Sequence, residues 1–344
     1  MKVGYVYDPI YLKHDTGQHP ENAKRLEVII SHLEGTGLKQ QLTPIKPRVA
    51  SVEELALAHD ERYISYIQGV AQGGGGWLDG DTVMSADSYE AALYAAGGVI
   101  RATEAVMNGE VGSAFALVRP PGHHATYEQA MGFCLFNNLA IATKYALAHY
   151  QLERILIVDF DVHHGNGTQS VFYDNPQVLY ISTHEYPFYP GTGSIEETGG
   201  RAADGTTINI PLPAGSGDAE YLEVFEQIII PAAIRFKPQL ILVSAGYDAH
   251  WADELALMQV SVTGFAQMVK IIKRLGDELC DGRLVFTLEG GYNLTALAAS
   301  IKATFDILLG NTAIEDPLGQ SPHSSKVSDI AHLIKKIKEI HNLA

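Results

Sequence analysis

The sequence predicts an α/β protein: a single doubly wound domain with a central, mostly parallel sheet and helices on both faces. Three observations predict it. Short apolar runs alternate with longer helical patterns. Several runs are continuously apolar, as in parallel strands covered on both faces. Four of them end in ionisable residues, at the strand ends where open α/β sheets bind ligands.

The expected strands are 2–7, 113–118, 154–160, 178–182, 206–211, 239–245 and 284–288; Gln-Leu-Ile-Leu-Val-Ser-Ala at 239–245 shows the pattern most clearly. The expected helices are 21–34, 87–108, 137–149, 218–235, 261–280 and 294–309, with Asp87 and Asp218 placed to cap two of them. Four glycines at 73–76 read as a surface connection, or alternatively as a loop at the rim of a site. The domain is expected to span 1–310. A linker over 311–325 leads to a helical extension, 326–344, whose basic amphipathic helix at about 326–342 packs on the domain or on a second subunit.

At 344 residues, 46% apolar and 19% charged, the chain has ample material for a core. A formal charge of −16 argues against nucleic acid and anionic membrane as partners. It mildly favours cationic substrates, although solubility alone also accounts for it. Cys134 and Cys280 are the only cysteines, so no disulfide framework is implied. No run approaches 18 apolar residues, and residues 1–8 lack the long apolar core of a signal peptide; a cytoplasmic protein without a membrane span is expected. A homo-oligomer is compatible with the pattern, as is a monomer.

Four strand ends carry the candidate chemistry. After 113–118 comes Arg-Pro-Pro-Gly-His123-His124, and after 154–158 comes Asp159-Phe-Asp161-Val-His163. After 239–245 comes Gly-Tyr-Asp248, and after 284–288 comes Glu289-Gly-Gly-Tyr292. Asp159, Asp161 and His163 are spaced i, i+2, i+4, which puts them on one face of an extended segment. Two carboxylates and an imidazole converging beside an apolar run are costly unless a cation sits among them. Asp161, His163 and Asp248 form the natural metal trio, leaving a position open for catalysis. Asp159, one pleat deeper, is placed to orient a neighbouring imidazole. An imidazole of the His123–His124 pair is placed to accept a proton from attacking water and return it to a leaving amine. Tyr292 follows two glycines that let the backbone come close, and its hydroxyl suits donation to an oxyanion.

These residues resemble the zinc-dependent histone deacetylase family, on the arginase–deacetylase fold, and most closely its class II members and the bacterial histone-deacetylase-like amidohydrolases. The resemblance runs from Tyr5 to about residue 309. It rests on His19-Pro-Glu-Asn-Ala-Lys-Arg25-Leu, Arg119-Pro-Pro-Gly-His-His-Ala, Gly132-Phe-Cys-Leu-Phe-Asn-Asn, Asp159-Phe-Asp-Val-His-His-Gly-Asn-Gly-Thr, Tyr189-Pro-Gly-Thr-Gly, Ser244-Ala-Gly-Tyr-Asp248 and Leu288-Glu-Gly-Gly-Tyr-Asn. Asn166 and Glu289 look like the class II form. The resemblance implies one zinc per chain on Asp161, His163 and Asp248. It implies His124 as general base and acid and His123 as its electrostatic partner, with Asp159 orienting His123 and Asn166 orienting His124. Tyr292 would polarise the acetyl carbonyl.

By the same resemblance, Phe133 and Tyr189 would wall a narrow channel, with Gly132 and Gly291 beside the substrate and Asp81 on the rim. A structural potassium would sit at main-chain oxygens of Asp159, Asp161 and His163 with Ser182. Asn22 replaces an arginine of relatives, which leaves Arg25 for the internal pocket. Leu255 falls where the polyamine-specific branch places an acidic gatekeeper, with Glu254 one residue away. An apolar gate implies acetyl-lysine peptides or proteins as substrates; a small acetylated amine is the alternative. A two-manganese ureohydrolase would need further carboxylates for a second metal, and a non-catalytic module would not fill every catalytic position.

Overall fold

In the computed structural model, which describes residues 2–323 and 329–343, the apolar runs pair into one sheet. The strands are β1 (Val3–Val6), β2 (Thr43–Ile45), β3 (Gly75–Trp77), β4 (Val83–Ser85), β5 (Ser113–Ala116), β6 (Ile155–Asp159), β7 (Val178–Glu185), β8 (Thr207–Leu212), β9 (Leu240–Ala245) and β10 (Leu284–Leu288). Eight of them form a sheet in the order β2-β1-β5-β10-β9-β6-β7-β8, with parallel pairing throughout. The central strands are apolar on both sides because helices cover them: β5, β6, β9 and β10 are buried at every position. These four are contiguous in the sheet, and parallel pairing brings their carboxyl ends to one edge.

The helices are α1 (Lys24–Gly35), α2 (Val52–Leu55), α3 (Glu61–Gln72), α4 (Ser88–Met107), α5 (Asn138–Tyr150), α6 (Asn166–Phe172), α7 (Asp218–Val224), α8 (Ile230–Phe236), α9 (Val262–Leu279), α10 (Leu294–Leu309) and α11 (Ala331–His341). The helix expected over 218–235 is present but carries a π-turn at Phe225–Ile229 between α7 and α8. Pro231, at the start of α8, has no N–H for the regular ladder, which accounts for an interruption there.

Two expected caps differ. Asp87 stands at the N-cap of α4 with helical backbone angles and makes no capping hydrogen bond. Asp218 is the first residue of α7, after Gly217. Its carboxylate accepts from Ser261 N at 2.8 Å and Ser261 Oγ at 2.6 Å, and so braces the start of α9. Nor are the four glycines an unstructured connection: Gly75 and Gly76 belong to β3, which pairs antiparallel with β4.

The C-terminal helix packs on its own domain. It begins at Ala331, buries Ile334, Ile337 and His341, and receives Arg235 Nη1 on the carbonyl of His341. The expected residues 324–328 of linker and helix, and residue 344, lie outside the described residues. No helix among the described residues is long and apolar enough to cross a membrane.

Candidate active site

The strand β6 stops at Asp159, so Asp161 and His163 are placed by the bend that follows and not by an extended pleat. The bend still brings them together with Asp248. His163 Nδ1 lies 3.1 Å from Asp161 Oδ1 and 3.2 Å from Asp248 Oδ2, and one donor atom from each residue falls within 4.8 Å of the others. Ligand atoms at zinc's bond lengths of about 2.0–2.1 Å stand roughly 3.3 Å apart in a tetrahedron, close to the two distances from His163.

Backbone groups fix both carboxylates. Asp161 Oδ2 accepts from Gly290 N at 2.8 Å, and Asp248 Oδ1 accepts from Val162 N at 3.0 Å. Asp248 Oδ2 is buried and accepts no hydrogen bond among the described residues. A buried carboxylate oxygen left in that state fits a cation among the three donors. Gly290 makes the approach feasible, since a Cβ there would collide with Asp248 Oδ2 and come within 2.6 Å of Asp161 Oδ2. Among the described residues this is the one such group of metal-ligating side chains.

The two histidines after β5 have different partners. His123 Nδ1 faces Asp159 Oδ2 at 3.1 Å, and the Tyr180 hydroxyl donates to the same oxygen at 3.1 Å. Burial works against a charged His123, but the carboxylates of Asp161 and Asp159 outweigh it and raise its pKa to about 10. His124 Nδ1 lies 2.8 Å from Asn166 Oδ1, where Asn166 opens α6. The Asn166 amide nitrogen turns towards the His124 carbonyl and Met131 Sδ, which leaves its oxygen for the ring. Burial, then the neighbouring His123 and His163, push the His124 pKa well down, so this imidazole is neutral. The rings sit 4.0 Å apart, one tied to a carboxylate and one to an amide.

A cavity of about 210 Å³ opens onto this group, lined in part by His123, His124, His163, Gly132, Phe133 and Tyr292. Clefts of about 620 to 700 Å³ lie elsewhere on the surface and touch none of these residues; chemistry and not volume picks the site. Gly132 (φ +55°) and Phe133 (φ +69°) are both left-handed, and a Cβ at Gly132 would strike the His124 ring. This turn sets Phe133 edge-on to Tyr292, ring centroids 5.8 Å apart.

Tyr189 lines the cavity edge-on to His124 at 5.2 Å, and Phe188, not singled out by the sequence, stacks on His163 at 5.5 Å. Leu255 and Asp81 also line the cavity, whereas Glu254 is exposed and does not. Gly291 is not a lining residue; Gly290 is. Desolvation raises the Tyr292 phenol well above its ordinary value, partly offset by Arg25, and keeps it a donor.

Beneath Tyr292 lies Arg25, fully buried, its guanidinium 5.0 Å from the phenol ring. It donates to the carbonyls of Gly291 at 2.7 Å and Glu289 at 2.5 Å and to Glu21 at 3.1 Å. Glu21 also receives the buried Arg119, a pairing across 98 residues of chain. Glu289 Oε2 accepts from Gly122 N at 2.7 Å and His123 N at 3.1 Å, steadying the histidine loop. Asp159 and Ser182 are partners in the β6–β7 register, and Ser182 Oγ pairs with His184 Nδ1 at 2.9 Å.

Comparison with known proteins gives the family. A model of the histone deacetylase domain matches residues 19–308. A probable deacetylase of Archaeoglobus fulgidus is 40% identical over 360 residues, covering 99% of this chain and 98% of that protein. Histone deacetylase 14, chloroplastic, of Arabidopsis thaliana is 40% identical over 351 residues, covering 96% and 83%. The crystal structure of the HDA15 HD domain superposes with a TM-score of 0.88 at 35% identity, covering 99% of this chain and 94% of that one. With an amide-hydrolase domain matched over most of its length and this site at the sheet edge, the chain belongs to the histone deacetylase family.

Proposed function

We propose that the chain is a zinc-dependent deacetylase that removes the acetyl group from Nε-acetyl-lysine side chains. The observation that carries this reading is a small cavity lined by the histidine pair, His163 and Tyr292, with Asp161 and Asp248 grouped with His163 as potential metal ligands. Zinc held by the two aspartates and His163 would supply a Lewis acid for the acetyl carbonyl and for the attacking water.

The chain's own residues supply the rest. His124 Nδ1 donates to Asn166 Oδ1, which leaves Nε2 as the lone pair that takes the proton from water and later returns it to the leaving amine. His123, positive beside Asp159, stabilises the negative charge that develops in the cavity. Tyr292 donates its hydroxyl to the carbonyl oxygen as it becomes an oxyanion. Phe133, Phe188 and Tyr189 wall a space narrower than most ligand pockets, suited to the straight aliphatic stem of lysine and closed to bulkier groups.

Leu255 in the cavity lining supports acetyl-lysine over an acetylated polyamine, because this position offers a second ammonium no carboxylate; the carboxylate in the lining is that of Asp81. The test is kcat/KM for acetyl-lysine peptides, longer acyl-lysines and acetylated polyamines on one zinc-loaded preparation. The reading expects the acetyl-lysine peptide to lead; a higher value for the polyamine would reassign the substrate.

A further inference from the structure

The loop between β9 and α9 carries Leu255, which lines the cavity, and the Asp253 side chain in that loop reaches the segment that carries Tyr292. Asp253 is 6% exposed, and both its oxygens are committed to backbone N–H groups. Oδ2 accepts from Tyr292 N at 2.7 Å and Asn293 N at 2.8 Å, and Oδ1 accepts from Leu255 N at 3.1 Å. A carboxylate receiving three N–H groups makes charge-assisted bonds, stronger than neutral ones.

Two of the loop's other anchors lead away from the phenol. Trp251 Nε1 donates to Gly319 O at 2.9 Å, and Leu257 N donates to Glu185 Oε2 at 2.9 Å. A neighbouring bond, Asn293 Nδ2 to Ala252 O at 2.9 Å, reinforces the Asp253 tie.

Tyr292 needs such an anchor. It follows Gly290 and Gly291, which have no side chains of their own to fix the backbone, and Gly291 stands at φ +115°. Arg25 grips this stretch by the carbonyls of Glu289 and Gly291, and Asp253 grips it from the N–H side, one residue further on. Asn293 then caps α10, its Oδ1 accepting from Ala296 N at 3.0 Å, so Asp253 also stands at the positive end of a sixteen-residue helix.

We infer that Asp253 is a positioning residue that holds the Tyr292 hydroxyl donor and the Leu255 lining as one body, an inference that rests on the deacetylase reading above. The hydroxyl must meet an oxygen that becomes charged only during reaction, and a misplacement near 1 Å costs on the order of 10²-fold in rate. The same carboxylate makes this lining and the phenol move together, so a substrate seated against Leu255 is registered against Tyr292.

The test uses the full chain loaded with zinc, in four forms: wild type, Asp253→Ala, Tyr292→Phe and the double variant, with Asp253→Asn as the volume-conserving substitute should the alanine form fold poorly. Two readouts are taken, kcat and KM on an acetyl-lysine peptide, and amide hydrogen exchange over 253–259 and 290–296. Removing Asp253 should lower kcat by about tenfold or more with KM within about threefold, but by less than about threefold in the Tyr292→Phe background, where the positioned group is already absent. Exchange should quicken in both segments together and nowhere else. An equal loss of kcat in both backgrounds would overturn the inference, since a merely structural role is additive. Faster exchange at 290–296 alone would overturn it too, because that is the signature of a lost helix cap. Should the wild type hydrolyse no N-acyl amine, the deacetylase reading fails by itself; the exchange arm then still decides whether Asp253 ties the two segments.

Discussion

His124 Nδ1 lies 2.8 Å from the amide oxygen of Asn166, while its neighbour His123 faces the carboxylate of Asp159. The difference matters because an amide orients a ring without charging it. His124 is therefore free to be neutral and to act as a base.

Asn166→Asp puts a carboxylate beside His124 and favours its imidazolium. Activity needs the neutral ring, so the acid limb of kcat/KM against pH should move to higher pH by about one unit. An unmoved limb would remove His124 from the base role.

Tyr292→Phe keeps the ring that packs against Phe133 and Arg25 and deletes only the hydroxyl. By the cost of losing one oxyanion donor, kcat should fall by about 10²-fold or more while zinc content is unchanged. Elemental analysis beside steady-state kinetics checks both halves. Wild-type turnover in this variant would mean the hydroxyl does no catalysis.

Gly290→Ala brings a methyl group onto Asp248 Oδ2 and to 2.6 Å from Asp161 Oδ2. The chain loses no ligand, yet both carboxylates must shift. Zinc affinity, titrated against a chelating dye, should weaken by about tenfold or more. Unchanged affinity would show that the glycine is there only for the turn.

His59 lies away from the reaction and tests the fold. Its Nδ1 faces Thr126 O at 2.8 Å and its Nε2 accepts from Asn137 N at 2.8 Å, a pattern only the neutral ring makes. Burial lowers its pKa from 6.5 to about 4. A histidine depressed in the fold contributes stability above the unfolded value, and that contribution fades as pH falls from about 6.5 towards 4, because the unfolded chain binds the proton first. Between pH 6.5 and 5 this amounts to about 2 kcal/mol. Denaturant unfolding of chelator-treated protein should show His59→Gln with a flatter dependence over that range than wild type. Parallel curves would contradict the assignment.

The site was legible in the sequence where strand ends decide position. Asp161, His163 and Asp248 follow β6 and β9, and adjacent parallel strands must bring such residues together. The i, i+2 spacing predicts a shared pleat face for Asp161 and His163, but β6 ends at Asp159 and a bend places them. Residues that depend on distant partners were less legible. Asp218 meets Ser261 across 43 residues and Glu21 meets Arg119 across 98, and no local pattern announces either. Phe188 sits beside Tyr189 in an aromatic run whose individual roles only the folded loop sorts out. The helix α3 is a different case: Asp60 caps it and Tyr63, Ile64, Ile67 and Ala71 recur at helical spacing, so its signal was present.

The most direct test of the account is the metal content of wild type and Asp248→Ala after equilibrium dialysis against limiting zinc. One zinc per wild-type chain and a marked loss in the variant are the predicted result. Wild type that retains no zinc, or a variant that retains as much as wild type, would contradict the assignment of Asp161, His163 and Asp248 as a cation's ligands.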